Sequence, residues 1–158
     1  MEATTKPITR EDIFEEAKWD LSGLYAQEPL WQEDFEKLEK DISGYESFKE
    51  TLVGSAEKIK VCIEFDIDIS RRIEKLHTYA HLRNDEDKTH TQNQGNFEKV
   101  VRLHTLVAQA SSYIPSELMA ISEDQMNKFL NDKVVYSNIL NISKLISVIY
   151  IILISRYG

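Results

Sequence analysis

Glycine, proline and cysteine are scarce in this sequence, and each shortage argues against a class of protein. Only five Gly and three Pro occur among the 158 residues, so long stretches lack the turn residues that a many-stranded β-sandwich needs, and helices are favoured. Cys62 is the single cysteine, which excludes an internal disulfide and a multi-cysteine zinc site and fits a reducing compartment. The N-terminus lacks the apolar core of a secretory signal, so a cytoplasmic location is expected.

Basic residues are outnumbered by acidic ones, which argues against nucleic acid as a partner. The sequence has 19 Lys and Arg against 27 Asp and Glu, for a net charge of −8, whereas polyphosphate binding relies on clustered Lys and Arg. Hydrophobic residues make up 42% and charged residues 29%, a balance that fits a soluble globular protein. The length is typical of one domain with a sizeable core.

The composition changes after residue 133. Residues 134–158 carry Lys144 and Arg156 but no acidic residue, and 16 of these 25 residues are hydrophobic, whereas residues 1–133 have a net charge of −10. The most apolar stretch, residues 145–154, spans only about 15 Å as a helix, roughly half of a bilayer core. A core helix, a surface for self-association or a non-native end is therefore favoured over a membrane anchor.

Apolar residues at spacings of three and four predict an all-α antiparallel helical hairpin or bundle before residue 134. The first predicted helix begins near Pro29 and continues to Leu52. Residues 63–69 alternate like a half-buried strand, but a longer helical pattern predicts a second helix over about 56–83 with Ser55 as its N-cap. The apolar residues of the first helix are Trp31, Phe35, Leu38, Ile42, Tyr45, Phe48 and Leu52.

The polar residues 84–95 show no periodicity and are predicted to form a connector. A third helix is then expected from about Phe97 and ends before Pro115, which disfavours a helical residue at the position that precedes it. Ser122 and Gln125 have the spacing of a capping box, which predicts a short helix through residues 126–130.

Two histidines offer the most specific candidate chemistry. His77 and His81 are four residues apart on a predicted helix, the spacing of the zinc-binding HExxH motif, but Thr78 stands where that motif has its general-base Glu. A third ligand would have to come from Asp85 or His104. The favoured interpretation is two surface histidines near an acidic turn, and a metal site is the alternative.

Other candidate groups also favour structural roles. Asp85, Glu86 and Asp87 lack the glycine and terminal Glu of an EF-hand loop, so a solvated helix-end turn is expected. Cys62 has no neighbouring His or Lys to stabilise a thiolate, which predicts a buried structural thiol. No glycine-rich phosphate loop or GxSxG motif occurs. We therefore predict no catalytic, cofactor-binding or metal-binding residue in this chain.

Several short segments carry motifs in a particular order along the chain. The most specific is residues 70–87, where a helix is expected to end in the pair Tyr79 and Ala80 before an Asp-rich turn. The others are Trp19-Asp20-Leu21 followed by Tyr25, the predicted helix over residues 31–52, residues 112–118, and residues 121–130. Together these segments resemble oligoendopeptidase F, a zinc metallopeptidase family related to thimet-type oligopeptidases, and the resemblance covers roughly residues 8–133.

The resemblance implies a role in peptide hydrolysis that this chain does not complete. In the family, this region is the N-terminal helical lobe, which packs over the catalytic domain and helps enclose the peptide channel. The HExxH helix and the later Glu that bind zinc do not occur in these 158 residues, so no cofactor is expected in this chain. The implied partners are the missing catalytic domain and oligopeptide substrates, and residues 134–158 are interpreted as a frameshifted or truncated end. A stand-alone helical interaction or oligomerisation module, with self-association through residues 134–158, is the alternative function.

Overall fold

A computed structural model of the chain describes residues 13–131, and every regular element in this range is helical. The all-α prediction is therefore confirmed. The tail, residues 134–158, lies outside the described residues, as do the interpretations that rest on it. The helices are α1 (Glu28–Asp41), α2 (Ala56–Glu86), α3 (Thr91–Ser111), α4 (Tyr113–Met119) and α5 (Glu123–Asn131), with 3₁₀ turns at Glu15–Ala17, Ile42–Ser47 and Leu52–Gly54.

The long helix α2 is the centre of the fold, and α1 and α3 pack against it. Ser55 caps it as predicted, since its Oγ accepts the Lys58 N–H at 3.3 Å. The strand-like alternation of residues 63–69 is overridden by the longer helical pattern, because one stripe of the helix is buried from Cys62 to Ala80. That stripe comprises Cys62, Ile63, Ile69, Ile73, Leu76, Tyr79 and Ala80.

The core lies where α1, α2 and α3 meet. Trp31 of α1 is fully buried and its Nε1–H donates to the Leu76 carbonyl of α2 at 3.0 Å. Its ring stacks on Phe35, with 5.4 Å between ring centroids. Val100 and Leu103 bring α3 into the same cluster. Among the helices of residues 13–131, none is long and apolar enough to cross a membrane.

The first helix is shorter than predicted. A single helix was expected up to Leu52, but α1 ends at Asp41, the chain continues in 3₁₀ turns, and Glu50 has a left-handed φ of 61°. The apolar residues nevertheless stay inside: Tyr45 packs edge-on to Phe65 of α2 at 5.0 Å between ring centroids. Helical spacing predicted which side chains are buried, but the turns, and not a continuous helix, bring them to the core.

Gly44 permits this close approach to α2, and we predict that Gly44→Ala is destabilising. A Cβ atom at this position would lie 2.7 Å from Cζ of the Phe65 ring, which is held between Tyr45 and Phe48. Overpacking of this kind costs about 1–3 kcal/mol, measurable as a lower urea midpoint. The matched control is Gly95→Ala in α3, where a Cβ meets nothing within 4 Å and a gain of about 0.5–1 kcal/mol is expected. Equal effects of the two substitutions would contradict the packing at Gly44.

The predicted connector over residues 84–95 is also shorter than expected. Helices α2 and α3 take up most of it and leave only residues 87–90 between them. The reason is that α3 begins with buried amides instead of apolar side chains. Asn93 Nδ2 donates to the Arg83 carbonyl at 2.9 Å, and Asn96 Nδ2 donates to Glu28 Oε1 at 2.8 Å. These hydrogen bonds fix the start of α3, and no apolar periodicity reveals them.

The end of the described chain follows the prediction more closely. Helix α3 ends at Ser111, before Pro115, and Pro115 lies within the first turn of α4. Ser122 Oγ accepts the Gln125 N–H at 3.3 Å, which is half of the predicted capping box. The Gln125 side chain also reaches away from α5, since its Nε2 donates to the Val53 carbonyl at 2.9 Å. This bond ties α5 to the turn before α2.

Candidate functional site

The histidines of α2 lie on the face of that helix that meets α3. The ring centroids of His77 and His81 are 5.8 Å apart, and the two rings are tilted by 33°. His104 of α3 stands edge-on to His77, with 5.3 Å between centroids. Phe97, which precedes His104 on α3, contacts both rings of the α2 pair, with 5.6 Å to His77 and 5.4 Å to His81 between ring centroids. Three imidazoles and one phenyl ring thus form a cluster, which we call the histidine cluster.

The surroundings of the cluster set the properties of its imidazoles. Burial lowers the pKa of His77, and the neighbouring His104 and His81 lower it further. His81 Nδ1 lies 3.3 Å from Asp85 Oδ2, and the His81 side chain is 46% exposed. His81 is therefore a surface residue of α2, whereas His77 is partly buried against α3. His104, which is far away in sequence, completes the cluster from the neighbouring helix.

The cluster does not fit the catalytic zinc site that the resemblance implies for the family. Such a site needs three protein ligands on the metal and a carboxylate base beside it. Thr78 is exposed and cannot act as that base. Within residues 13–131, no group of three or more His, Cys, Asp and Glu side chains is placed to hold a metal ion. The histidine cluster therefore does not supply the ligands and the base of a zinc peptidase.

The acidic turn after α2 is a set of separate local contacts. Asp85 Oδ1 lies 3.5 Å from Lys88 Nζ, and Glu86 Oε2 lies 3.0 Å from Arg83 Nη1. The Thr89 N–H and Oγ1 donate to Asp87 Oδ1 at 2.9 and 2.6 Å, and these bonds lower the Asp87 pKa. Each carboxylate has a partner of its own, as in a structural turn, but the Glu86 side chain is only 7% exposed, so the turn is not solvated throughout as expected.

Cys62 lies in the core, as predicted for a structural thiol. Its side chain is fully buried. Burial raises the pKa of the thiol from 9.0 to about 11, and the charges of Asp66 and Glu117 act in the same direction, while a hydrogen bond with Tyr113 opposes them. The thiolate, which is the nucleophilic form, is therefore scarce at neutral pH.

Cys62 should be protected from thiol reagents as long as the protein is folded. A pKa rise from 9.0 to about 11 reduces the thiolate population at pH 8 about a hundredfold, and burial adds a steric barrier. We expect iodoacetamide to label the native chain at least about a hundred times more slowly than the urea-unfolded chain. Similar labelling rates in both states would show that the thiol is accessible in the folded protein.

Trp19 borders two depressions that the sequence patterns did not predict. One groove of about 500 Å³ is lined by Trp19, Tyr25, Tyr79 and Arg83, among others. A smaller depression of about 260 Å³ lies between Ile13, Trp19 and the end of α2. Trp19 is 52% exposed and Phe14 is 86% exposed. We call Ile13, Phe14 and Trp19 the N-terminal apolar surface. It could not be predicted, because the sequence alone does not show which large apolar side chains are exposed.

Glu117 of α4 has a structural role that the sequence also did not reveal. Its carboxylate accepts the backbone N–H groups of Glu50 and Leu52 at 2.6 and 3.2 Å. These donors belong to the irregular segment between α1 and α2, where Glu50 has its positive φ. The partners are 65 or more residues apart, so no local pattern signals the contact.

Comparison with known proteins gives a consistent set of relatives, although none of the protein-family models matches the chain. Oligopeptidase PepF of Bacillus subtilis is 27% identical over 124 residues, which are 78% of this chain and 18% of PepF. Group B oligopeptidase PepB of Streptococcus agalactiae is 31% identical over 121 residues, 77% of this chain and 20% of PepB. The crystal structure of oligoendopeptidase-F from Enterococcus faecium superposes with a TM-score of 0.66 at 25% identity, covering 77% of this chain and 23% of that structure.

These matches agree in extent, in fold and in the names of the relatives. The chain spans about one fifth of the length of the curated relatives it matches. The all-helical fold of residues 13–131 is also found in the solved oligoendopeptidase, as the sequence motifs predict. The chain therefore belongs to the oligoendopeptidase F family.

Proposed function

We propose that this chain forms the N-terminal, substrate-channel lobe of a cytoplasmic zinc-dependent oligoendopeptidase and is catalytically incomplete by itself. The observation that carries the proposal is the alignment of more than three quarters of the chain with about one fifth of proteins named as oligopeptidases. The shared helical fold supports it. In this role the lobe contributes walls to a channel for short peptides, and another part of the enzyme supplies the zinc ligands and the base.

The N-terminal apolar surface supports the proposal that a catalytic domain is the partner. Ile13 and Trp19 line one depression, and Phe14 is 86% exposed in the same short stretch of chain. Exposed large apolar side chains of this kind are typical of a surface that another domain covers. The groove beside Trp19 continues along Tyr25 and Tyr79. Trp19 and Tyr25, which both belong to a motif that carries the family resemblance, therefore line the same groove.

The proposed incompleteness is tested by a peptidase assay on the purified chain. Quenched fluorescent oligopeptides are incubated with the chain, with and without added Zn²⁺, and Bacillus subtilis PepF serves as the positive control. We expect no cleavage that a chelator abolishes, because the HExxH motif and its Glu base do not occur in the sequence. Chelator-sensitive cleavage that co-purifies with the folded chain would overturn the incompleteness.

A second candidate function, a stand-alone helical interaction module, is favoured by the same exposed side chains. Analytical ultracentrifugation of the chain and of a variant that lacks residues 134–158 separates the two proposals. A well-folded monomer formed only after the deletion would support self-association through the tail. A monomer in both cases, which binds the catalytic part of PepF through Trp19, would support the lobe.

A further inference from the structure

We propose that His77 and His81 form a surface binding site for a divalent transition-metal ion of the Zn²⁺ type, with His104 as an additional ligand from the neighbouring helix. The proposal rests on the histidine cluster alone, so it stands or fails independently of the peptidase role.

The geometry of the α2 pair suits one ion held between two imidazoles. Residues four apart on an α-helix lie on the same face, and α2 continues beyond both sides of the pair, from Ala56 to Glu86. An imidazole that binds zinc through one nitrogen at about 2.0–2.1 Å has its ring centre about 3 Å from the ion. Two such rings on one tetrahedral ion are about 5 Å apart. His77 and His81 are separated by 5.8 Å, so a small rotation of the side chains brings both rings onto one ion.

Asp85 lies beside His81 in the position that a carboxylate commonly takes beside a metal-binding histidine. Metal-binding histidines commonly donate their second ring N–H to a carboxylate, which fixes the tautomer and the orientation of the ring. Asp85 Oδ2 lies 3.3 Å from His81 Nδ1, so Nε2 is the nitrogen left for a metal ion. The partly exposed side chain of His81 gives an ion direct access from solvent.

His104 makes it possible for the site to join two helices. Its ring is 5.3 Å from that of His77 but perpendicular to it, at 89°, and the residue is exposed. No three ligands share one point in the arrangement described for residues 13–131, so a change of rotamer at His104 is required to bring it onto the ion. A bound ion then links α2 to α3 and stabilises the folded state by mass action.

The first experiment is a calorimetric titration of the full chain with Zn²⁺ at neutral pH. We expect one ion to bind per chain. His77→Gln and His81→Gln should each reduce the affinity more than tenfold, because each removes a ligand and the loss of a supporting residue alone costs at least about tenfold. Asp85→Asn should weaken binding about 10–100-fold by loss of orientation. His90→Asn is the control, since His90 is outside the cluster and Asn can replace its Nδ1 as acceptor of the Asn93 N–H at the start of α3; the affinity should stay unchanged. Absence of saturable binding, or equal affinity in the double variant His77→Gln/His81→Gln, would overturn the proposal.

A second measurement needs no variant and therefore does not depend on how the substitutions fold. The chain contains four histidines, and paramagnetic Cu²⁺, which binds imidazole sites more tightly than Zn²⁺ does, broadens the NMR signals of the rings it approaches. The ring signals of His77 and His81 should disappear first, that of His104 next and that of His90 last. Simultaneous broadening of all four, or His90 first, would show non-specific binding and contradict the site.

Discussion

Replacing Trp31 with alanine is expected to lower the free energy of unfolding by about 3–5 kcal/mol. Trp31 is fully buried, stacks on Phe35 and donates its Nε1–H to the Leu76 carbonyl. Truncation removes the apolar contacts of the indole and leaves a large cavity between α1 and α2, which the long α2 helix cannot close by a local shift. Because domains of this size are stable by only about 5–15 kcal/mol, the variant should be close to unfolding at ambient temperature.

Trp19→Ala provides a matched control for this prediction, since the chain has two tryptophans in opposite surroundings. Trp19 is 52% exposed, and its replacement should change stability by no more than about 0.5 kcal/mol. Urea denaturation followed by circular dichroism compares both variants with the parent chain. If Trp19→Ala cost as much as Trp31→Ala, the assignment of Trp31 to the core and Trp19 to the surface would be wrong.

The second large effect is expected at the α2–α3 interface, where Leu103→Ala should cost about 2–5 kcal/mol. Leu103 is 1% exposed, whereas Leu106, three residues later on the same helix, is 37% exposed. Both substitutions have the same intrinsic effect on helix formation, because the residue types are identical and both sites lie within α3. The difference between them therefore reports burial alone.

Thermal unfolding of the two leucine variants tests this difference directly. Leu106→Ala should change the free energy of unfolding by less than half as much as Leu103→Ala. A larger effect at Leu106 would mean that α3 presents a different face to α2, and the histidine cluster would then have to be rebuilt, since His104 belongs to the same helix turn.

The sequence was most informative where apolar spacing is long and regular. The spacing over residues 56–83 distinguished α2 from a strand, because only a helix keeps one buried stripe over that length. It failed after Asp41, where the spacing continued but the backbone did not stay α-helical. Burial of Tyr45 can be satisfied by a 3₁₀ turn as well as by a helix, and the close approach of Gly44 to Phe65 depends on tertiary contact.

Polar residues account for most of what could not be predicted. Asn93 and Asn96 are buried and hydrogen-bonded at the start of α3, yet as amides they resemble a loop in the sequence. The pairing of His77 with His81 follows from helical spacing, but the approach of His104 requires knowledge of how α3 packs. The exposure of Trp19 likewise depends on the finished surface. Local pattern thus predicted α2, α3 and α5 and the histidine pair of α2, whereas the short helix α4 was not predicted. Packing determined the rest of the candidate site.

A domain-exchange experiment tests the proposed lobe function most directly. In Bacillus subtilis PepF, the stretch that aligns with this chain is replaced by residues 8–133, and a PepF that lacks this stretch serves as the control. If the chain is the substrate-channel lobe of such an enzyme, the chimera should cleave oligopeptides in a chelator-sensitive manner while the deletion variant does not. A folded chimera that retains zinc but cleaves no peptide would contradict the proposed function.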